Sequence, residues 1–299
     1  MGCFGRLGYR YLVSFDKSKI INSEFVSSAP PEFLFICGAI SQYLGAALAY
    51  SLFDDVGTPL VATLRVIGAA IILFLLRRIW KRSMEELDLG WTALFGIVLA
   101  GMNLCFYLAI DNLPLGNAVA IEFLGPIAVA VLGNRSFKNL ASLAIASLGV
   151  LFLAQVTSEG SLTGVLLALA AGALWALYII LGSRVARSGA HLDGLGVGML
   201  IGGLVISPTA LASIGNVFEH PVLILVALST GILGNVIPYG IDQVALQRIT
   251  KARFAFLQAL LPATASCVGF IALQQRATIK EVVGIGMIIF AILLRGKET

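Results

Sequence analysis

Arg65 and Glu122 are the two residues from which chemistry can be argued, because each stands as the lone charge in an apolar stretch long enough to cross a membrane. A charge at the bilayer centre costs roughly 2.5–3.5 kcal/mol on insertion scales, so such a residue normally faces a cavity or a partner rather than lipid. The two charges have opposite sign, as recognition of a zwitterionic small molecule requires. The competing readings are a buried ion pair that locks helices together, and snorkelling to the interface, for which both residues are too deep. Glu122 is about eight residues into its stretch, roughly 12 Å from the outer face, and Arg65 about six residues into its own, roughly 9 Å deep. Asn103 falls at a similar level, so the three can line one cavity.

Two prolines add polar backbone at the same places. Proline has no N–H, so the carbonyl four residues earlier loses its helical partner. Pro126 thereby frees the carbonyl of Glu122, and Pro262 that of Gln258. A kink is expected at each, and irregular polar backbone at membrane depth is tolerated where it lines a cavity or is packed in protein. Gln42 and Tyr43 fall near the middle of the first apolar stretch, Trp175 and Tyr178 in the sixth. For these aromatics packing, interface anchoring and ligand contact all remain open. Asn235 and Tyr239 lie toward the inner end of the eighth stretch, where an inner gate and simple interfacial placement are both readings. Gly172, Gly198, Gly202 and Gly203 suit close helix packing, and Gly198 with Gly202 forms a GxxxG.

The elements that must hold these residues are membrane spans. The chain is 59% apolar and 12% charged, against about 45–50% and about 25% in soluble domains. Mean hydropathy is +0.96. An all-α membrane protein follows, with ten transmembrane helices near 33–53, 59–77, 90–110, 114–133, 139–156, 162–183, 194–213, 220–241, 250–273 and 278–295. The Lys and Arg residues fall almost entirely in alternate loops. Only Arg276 and Lys280 lie on the opposite side, and Arg65 is within a span. The positive-inside rule then places both termini in the cytoplasm. Residues 1–29 carry Arg6, Arg10, Lys17 and Lys19 with no apolar run behind them, so they read as a loose cytoplasmic tail rather than a secretory signal.

The segment from Tyr107 through Pro126 to Gly133 can be laid on that from Gln243 through Pro262 to Gly269, and Glu122 then meets Gln258. An odd number of spans separates the two. The halves, 30–156 and 157–299, are therefore expected to be inverted five-helix repeats, a plan frequent among secondary transporters. Other chemistry finds no support. Cys3, Cys37, Cys105 and Cys267 are scattered, and His191 and His220 fall in expected loops. No HExxH, GxSxG or P-loop occurs. We expect no metal, no cofactor and no enzymatic activity, and the net charge of +4 reflects topology rather than a nucleic-acid partner.

Several runs resemble one known family. Gly101-Met102-Asn103-Leu104-Cys105-Phe106-Tyr107-Leu108-Ala109-Ile110 is similar to the third span of the threonine/homoserine exporter group, in the ten-helix, EamA-type branch of the drug/metabolite transporter superfamily. Leu113-Pro114-Leu115-Gly116 and Ala118-Val119-Ala120-Ile121-Glu122-Phe123-Leu124-Gly125-Pro126 resemble its fourth span, Ala62-Thr63-Leu64-Arg65 its second, and Gly172-Ala173-Leu174-Trp175-Ala176-Leu177-Tyr178-Ile179 its sixth. The chain departs at Leu261, where the group tends to place an acid before the span-nine proline. It departs again at Gln274-Gln275-Arg276, where relatives often carry Gly-Glu.

The resemblance implies export of small amino acids or related metabolites across the bacterial plasma (inner) membrane, without ATP hydrolysis. A broad drug or metabolite efflux carrier is the alternative, and a membrane-embedded enzyme, for which the chain shows no nucleophile with its base, metal site or paired acids, is the second. On this reading Glu122 takes the ammonium and Arg65 the carboxylate, while Asn103, Tyr43 and Gln258 add hydrogen bonds. A proton-coupling role for Glu122 is the rival assignment.

Overall fold

The computed structural model describes residues 31–81, 87–133, 136–156, 162–187, 191–215, 221–251, Phe254, Gln258, 261–274 and 278–294. Among them every regular element is helical. In lipid no water is present to satisfy exposed backbone groups, so a spanning segment must close its hydrogen bonds within itself, as a helix does. The helices are α1 (Pro31–Tyr50), α2 (Thr58–Arg77), α3 (Leu89–Ile110), α4 (Leu115–Glu122), α5 (Leu124–Gly133), α6 (Phe137–Val156), α7 (Leu162–Ala186), α8 (His191–Ile206), α9 (Pro221–Gly231), α10 (Ile237–Arg248), α11 (Leu261–Ala272) and α12 (Ile279–Leu294). A single turn, Phe53–Val56, sits between α1 and α2, a 3₁₀ stretch Ser207–Ser213 extends α8, and a π-helical turn Ile232–Val236 joins α9 to α10.

Helix ends follow local chemistry. Pro59 occupies the first turn of α2, where its missing N–H costs nothing. Asp88 caps α3 by accepting the N–H of Trp91 at 3.2 Å. Arg78, in the left-handed region at φ 51°, ends α2.

Among the described residues seven segments are long and apolar enough to cross a membrane: Phe33–Tyr50, Thr58–Arg77, Leu89–Ile110, Leu115–Gly133, Leu162–Ala186, Leu192–Ser213 and Pro221–Arg248. Their outer faces are apolar. On α1 the side chains of Ile36, Ile40, Leu44 and Leu48 recur at helical spacing and are all exposed, as a lipid-facing stripe requires.

One expected kink is found, and two expected placements change. The fourth span is interrupted at Phe123, between α4 and α5, at the position where Pro126 withholds its N–H from Glu122. The eighth span was expected to stop at 241 but runs to Arg248 as one 28-residue segment. Its polar end, Asp242-Gln243, looks like a membrane edge to a hydropathy window, yet both side chains are buried in protein. His191, expected in a loop, is the first residue of α8. The N-terminal tail 1–29, His220 and much of 250–260 lie outside the described residues.

Neighbouring helices come mainly from opposite halves of the chain. α1 packs on α10 and α11, α2 on α8 and α9, α3 on α7 and α8, α4 and α5 on α7, and α6 on α12. One continuous apolar core therefore spans both halves. Small residues let the backbones touch. A Cβ on Gly96 would collide with the Gly198 carbonyl, and one on Gly202 with the carbonyl of Gly96, which fuses α3 to α8. A Cβ on Gly68 would strike the Leu228 carbonyl between α2 and α9. Without a hydrophobic drive between helices in lipid, such close backbone contact is a main source of cohesion.

Candidate functional site

Arg65 projects from α2 and is 2% exposed. The π turn receives it. The extra residue in that turn brings Gly234 and Asn235 toward α2, and the guanidinium donates from Nη2 to Asn235 Oδ1 at 2.6 Å. A Cβ at Gly234 would overlap the guanidinium where it now lies, so the glycine leaves room for this seat. The ring of Tyr107 lies beneath, with Arg65 Cζ 4.4 Å from its centroid. Nε has no hydrogen-bond partner among the described residues. The expected alternative of a direct ion pair with Glu122 is not formed, and the ion pair seen among the described residues, Arg77 with Asp193 at 2.8 Å, ties the far end of α2 to α8. Arg65 is thus a buried cation held by neutral groups.

Glu122 ends α4 at the helix interruption and is 5% exposed. Its carbonyl faces Gly172 of α7, where a Cβ would come within 2.5 Å of the oxygen, and Gly125 abuts the Gly172 backbone in turn. Next along, Phe123 packs edge-on against Trp175, 5.5 Å between centroids. Break, acid and aromatic wall are therefore fixed together by α7. Pro126 sits in α5 and Pro262 in the first turn of α11, while the segment before Pro262 lies largely outside the described residues.

A second acid occupies the opposite wall. Asp242 on α10 is 8% exposed and accepts from the Tyr178 hydroxyl at 3.1 Å. Tyr239, one turn earlier on the same face, accepts from Asn103 Nδ2 at 2.9 Å, and that amide also donates to the Leu99 carbonyl. The Tyr178 and Tyr239 rings lie 5.4 Å apart.

These groups surround one buried cavity of about 40 Å³, the scale of ordered water rather than of a whole amino acid. Gln42, Arg65, Asn103, Glu122, Trp175, Tyr239, Asp242 and Gln258 line it, with Phe35, Met102, Phe106 and Leu261 among its apolar walls. Most of the residues singled out from sequence therefore meet at one place, although they come from seven separate segments. Tyr43 and Tyr178 do not line it. Tyr43 is fully buried on α1 with its hydroxyl unpaired among the described residues, and Tyr178 stands one layer back, orienting Asp242. Gln258 is 2% exposed, and its Oε1 likewise has no partner among the described residues.

Two residues gain a place that sequence reasoning did not give them. Asn235 is the hydrogen-bond partner of Arg65 and is fully buried in protein rather than interfacial. Asp242 was missed altogether, because the eighth span was ended one residue before it. Its signal was present: a lone acid three residues after Tyr239, on the same face of a segment whose apolar residues continue to Leu246. The site thus contains one guanidinium and two carboxylates. Among the described residues no cluster of His, Cys, Asp or Glu has the makings of a metal site.

Residues 162–295 match the EamA-like transporter family. Over 250 residues the chain is 36% identical to the threonine/homoserine exporter RhtA of Escherichia coli strain K12, covering 83% of this chain and 84% of the relative. RhtA of Salmonella typhimurium strain LT2 is 34% identical over 264 residues, covering 87% of this chain and 89% of that one. One solved crystal structure superposes with a TM-score of 0.60 at 16% identity, over 88% of this chain and 96% of its own, which shows a shared fold alone. Spans, packing and relatives agree: the protein is a multi-pass membrane protein that belongs to the EamA-like transporter family together with these RhtA relatives.

Proposed function

We propose that the protein is a secondary transporter that exports small zwitterionic amino acids, of the threonine and homoserine class, across the bacterial inner membrane by alternating access. The observation that carries this reading is Arg65. It is a buried cation with neutral partners, a hydrogen-bond donor unpaired among the described residues and carboxylates across the same cavity. A cation so placed is matched by a ligand carboxylate, with which it forms a charge-assisted pair. Glu122 then receives the ammonium, and Asn103, Tyr239 and Gln258 supply hydrogen bonds that grade side chains. The curated relatives are named for export of threonine and homoserine, which agrees with a clamp for the amino-acid core.

The charge inventory also suggests how transport is driven. One guanidinium faces two carboxylates, so a bound zwitterion leaves one acid over. Asp242, whose carboxylate is already engaged by Tyr178, takes the part of proton carrier, leaving Glu122 to the substrate. The architecture we propose is ten spans in two inverted five-helix repeats with both termini cytoplasmic. Helices on either side of the cavity rock about the α4–α5 interruption and the π turn. A cavity of about 40 Å³ must widen before an amino acid enters, which makes these two irregular points the natural hinges.

The test is efflux of labelled threonine and homoserine from preloaded cells, with wild type, Glu122→Gln and Arg65→Ala at matched membrane abundance. Faster efflux that both substitutions abolish supports the clamp, and normal efflux in both variants refutes it. A competition panel of drugs and other metabolites addresses the broad efflux carrier, which the apolar walls Phe35, Met102 and Phe106 keep in view. That reading takes first place if bulky apolar compounds compete and threonine does not.

A further inference from the structure

A second cleft lies away from the central cavity, between the start of α3 and the end of α7. Its volume is about 480 Å³, and it is lined by Trp91, Ile180, Leu181, Ser183, Arg184, Arg187 and Lys251. Three of these are cations and none is an acid. Arg184 lies over the Trp91 ring, its Cζ 4.1 Å from the centroid, so one cation is already oriented by an aromatic face. Asp88, beside Trp91 in the chain, has an oxygen engaged by the Trp91 N–H. Ser183, 2% exposed, also lines the cleft. A buried hydroxyl at the floor of a basic cleft is a donor suited to an anionic oxygen.

The cleft also has a direction. Leu162, Leu166, Leu169, Leu177 and Ile180 are all exposed, and their spacing draws one apolar stripe along α7. The stripe ends at Arg184. A ligand with acyl chains along α7 would therefore present its headgroup to Arg184, Arg187 and Lys251, whereas a free anion has no use for the stripe. We propose that this cleft is a binding site for an anionic phospholipid, its phosphate held by the three cations and Ser183. On the orientation proposed above, the lipid belongs to the cytoplasmic leaflet, where basic pockets between spans hold anionic headgroups. None of these residues lines the transport cavity, so the proposal does not depend on the substrate reading.

The test uses the full-length protein in phosphatidylcholine bilayers containing a spin-labelled phosphatidylglycerol, with its association relative to labelled phosphatidylcholine read by electron paramagnetic resonance. Arg184→Gln with Lys251→Gln is compared with a control pair, Arg78→Gln with Lys81→Gln, which removes two exposed cations outside the cleft. We expect wild type to prefer phosphatidylglycerol, the control pair to keep that preference, and the cleft pair to lower it by about fivefold or more. The exposed single variant Arg187→Gln, with a smaller loss, guards against misfolding of the double variant. Equal losses in both pairs would mean a general surface field and overturn the site, as would no preference in wild type. Displacement of the labelled lipid by millimolar inorganic phosphate would assign the cleft to a free anion and overturn the lipid reading.

Discussion

At the scale of single residues, the central cavity is defined by charges that do not cancel one another directly. Arg65 rests on Asn235 and Tyr107, not on Glu122. Losing one charged partner of a buried pair costs about 2 kcal/mol or more, so Glu122→Gln is expected to slow threonine counterflow by more than tenfold while protein abundance stays normal. Asp242→Asn separates binding from coupling. Counterflow between equal pH on both sides should survive, and efflux driven by an imposed pH gradient should be lost. The reverse pattern, with Glu122→Gln sparing counterflow, would move the proton role to Glu122. Asn235→Ala removes the amide that satisfies the guanidinium and is expected to destabilise the fold by about 1–3 kcal/mol, seen as a lower apparent Tm of the purified protein. Arg65 and Glu122 were legible in the sequence because a lone charge in an apolar stretch is conspicuous. Asn235 was visible only as a polar residue near a span end, and its partner was not.

At the scale of elements, irregular helix geometry places the functional groups. A regular helix through 232–236 would rotate Asn235 away from α2, and the π turn is what points it at Arg65. The interruption at Phe123 is a second irregularity, and it is held by backbone contact with Gly172. Gly172→Val is therefore expected to overpack the α4–α7 contact at a cost of about 1–3 kcal/mol, reducing thermal stability and transport together. The same change at Gly215, whose Cβ would meet no atom within 4 Å, should do neither. Pro126 announced its break in the sequence, since a missing N–H is local information. The π turn carried no comparable local signal, because it depends on what α1 and α2 press against it: Gly45 of α1 abuts Gly234, and Gly231 abuts the Arg65 backbone.

At the scale of the whole molecule, the two halves of the chain interlock rather than sit side by side, and both halves contribute walls to the cavity. Relative motion of the halves must then reshape the cavity. The proposed orientation has a direct check. In a background with the four native cysteines replaced, Asn112→Cys should react with an impermeant maleimide on intact cells, and Lys81→Cys should react only after the membrane is opened. Labelling of position 81 from outside would invert the topology. The chain by itself determined the membrane class, most span positions, the charge alternation of the loops and the two lone charges. Each is a property of composition or of a short window, read directly against the bilayer's thickness and dielectric. Tertiary structure alone decided that Arg65 pairs with Asn235 instead of Glu122, that Asp242 is buried rather than at the membrane edge, and that Tyr43 and Tyr178 stand behind the cavity. Those outcomes rest on contacts between residues far apart in the chain, such as Arg65 with Asn235, and no window along one segment reports which face of it another helix will cover.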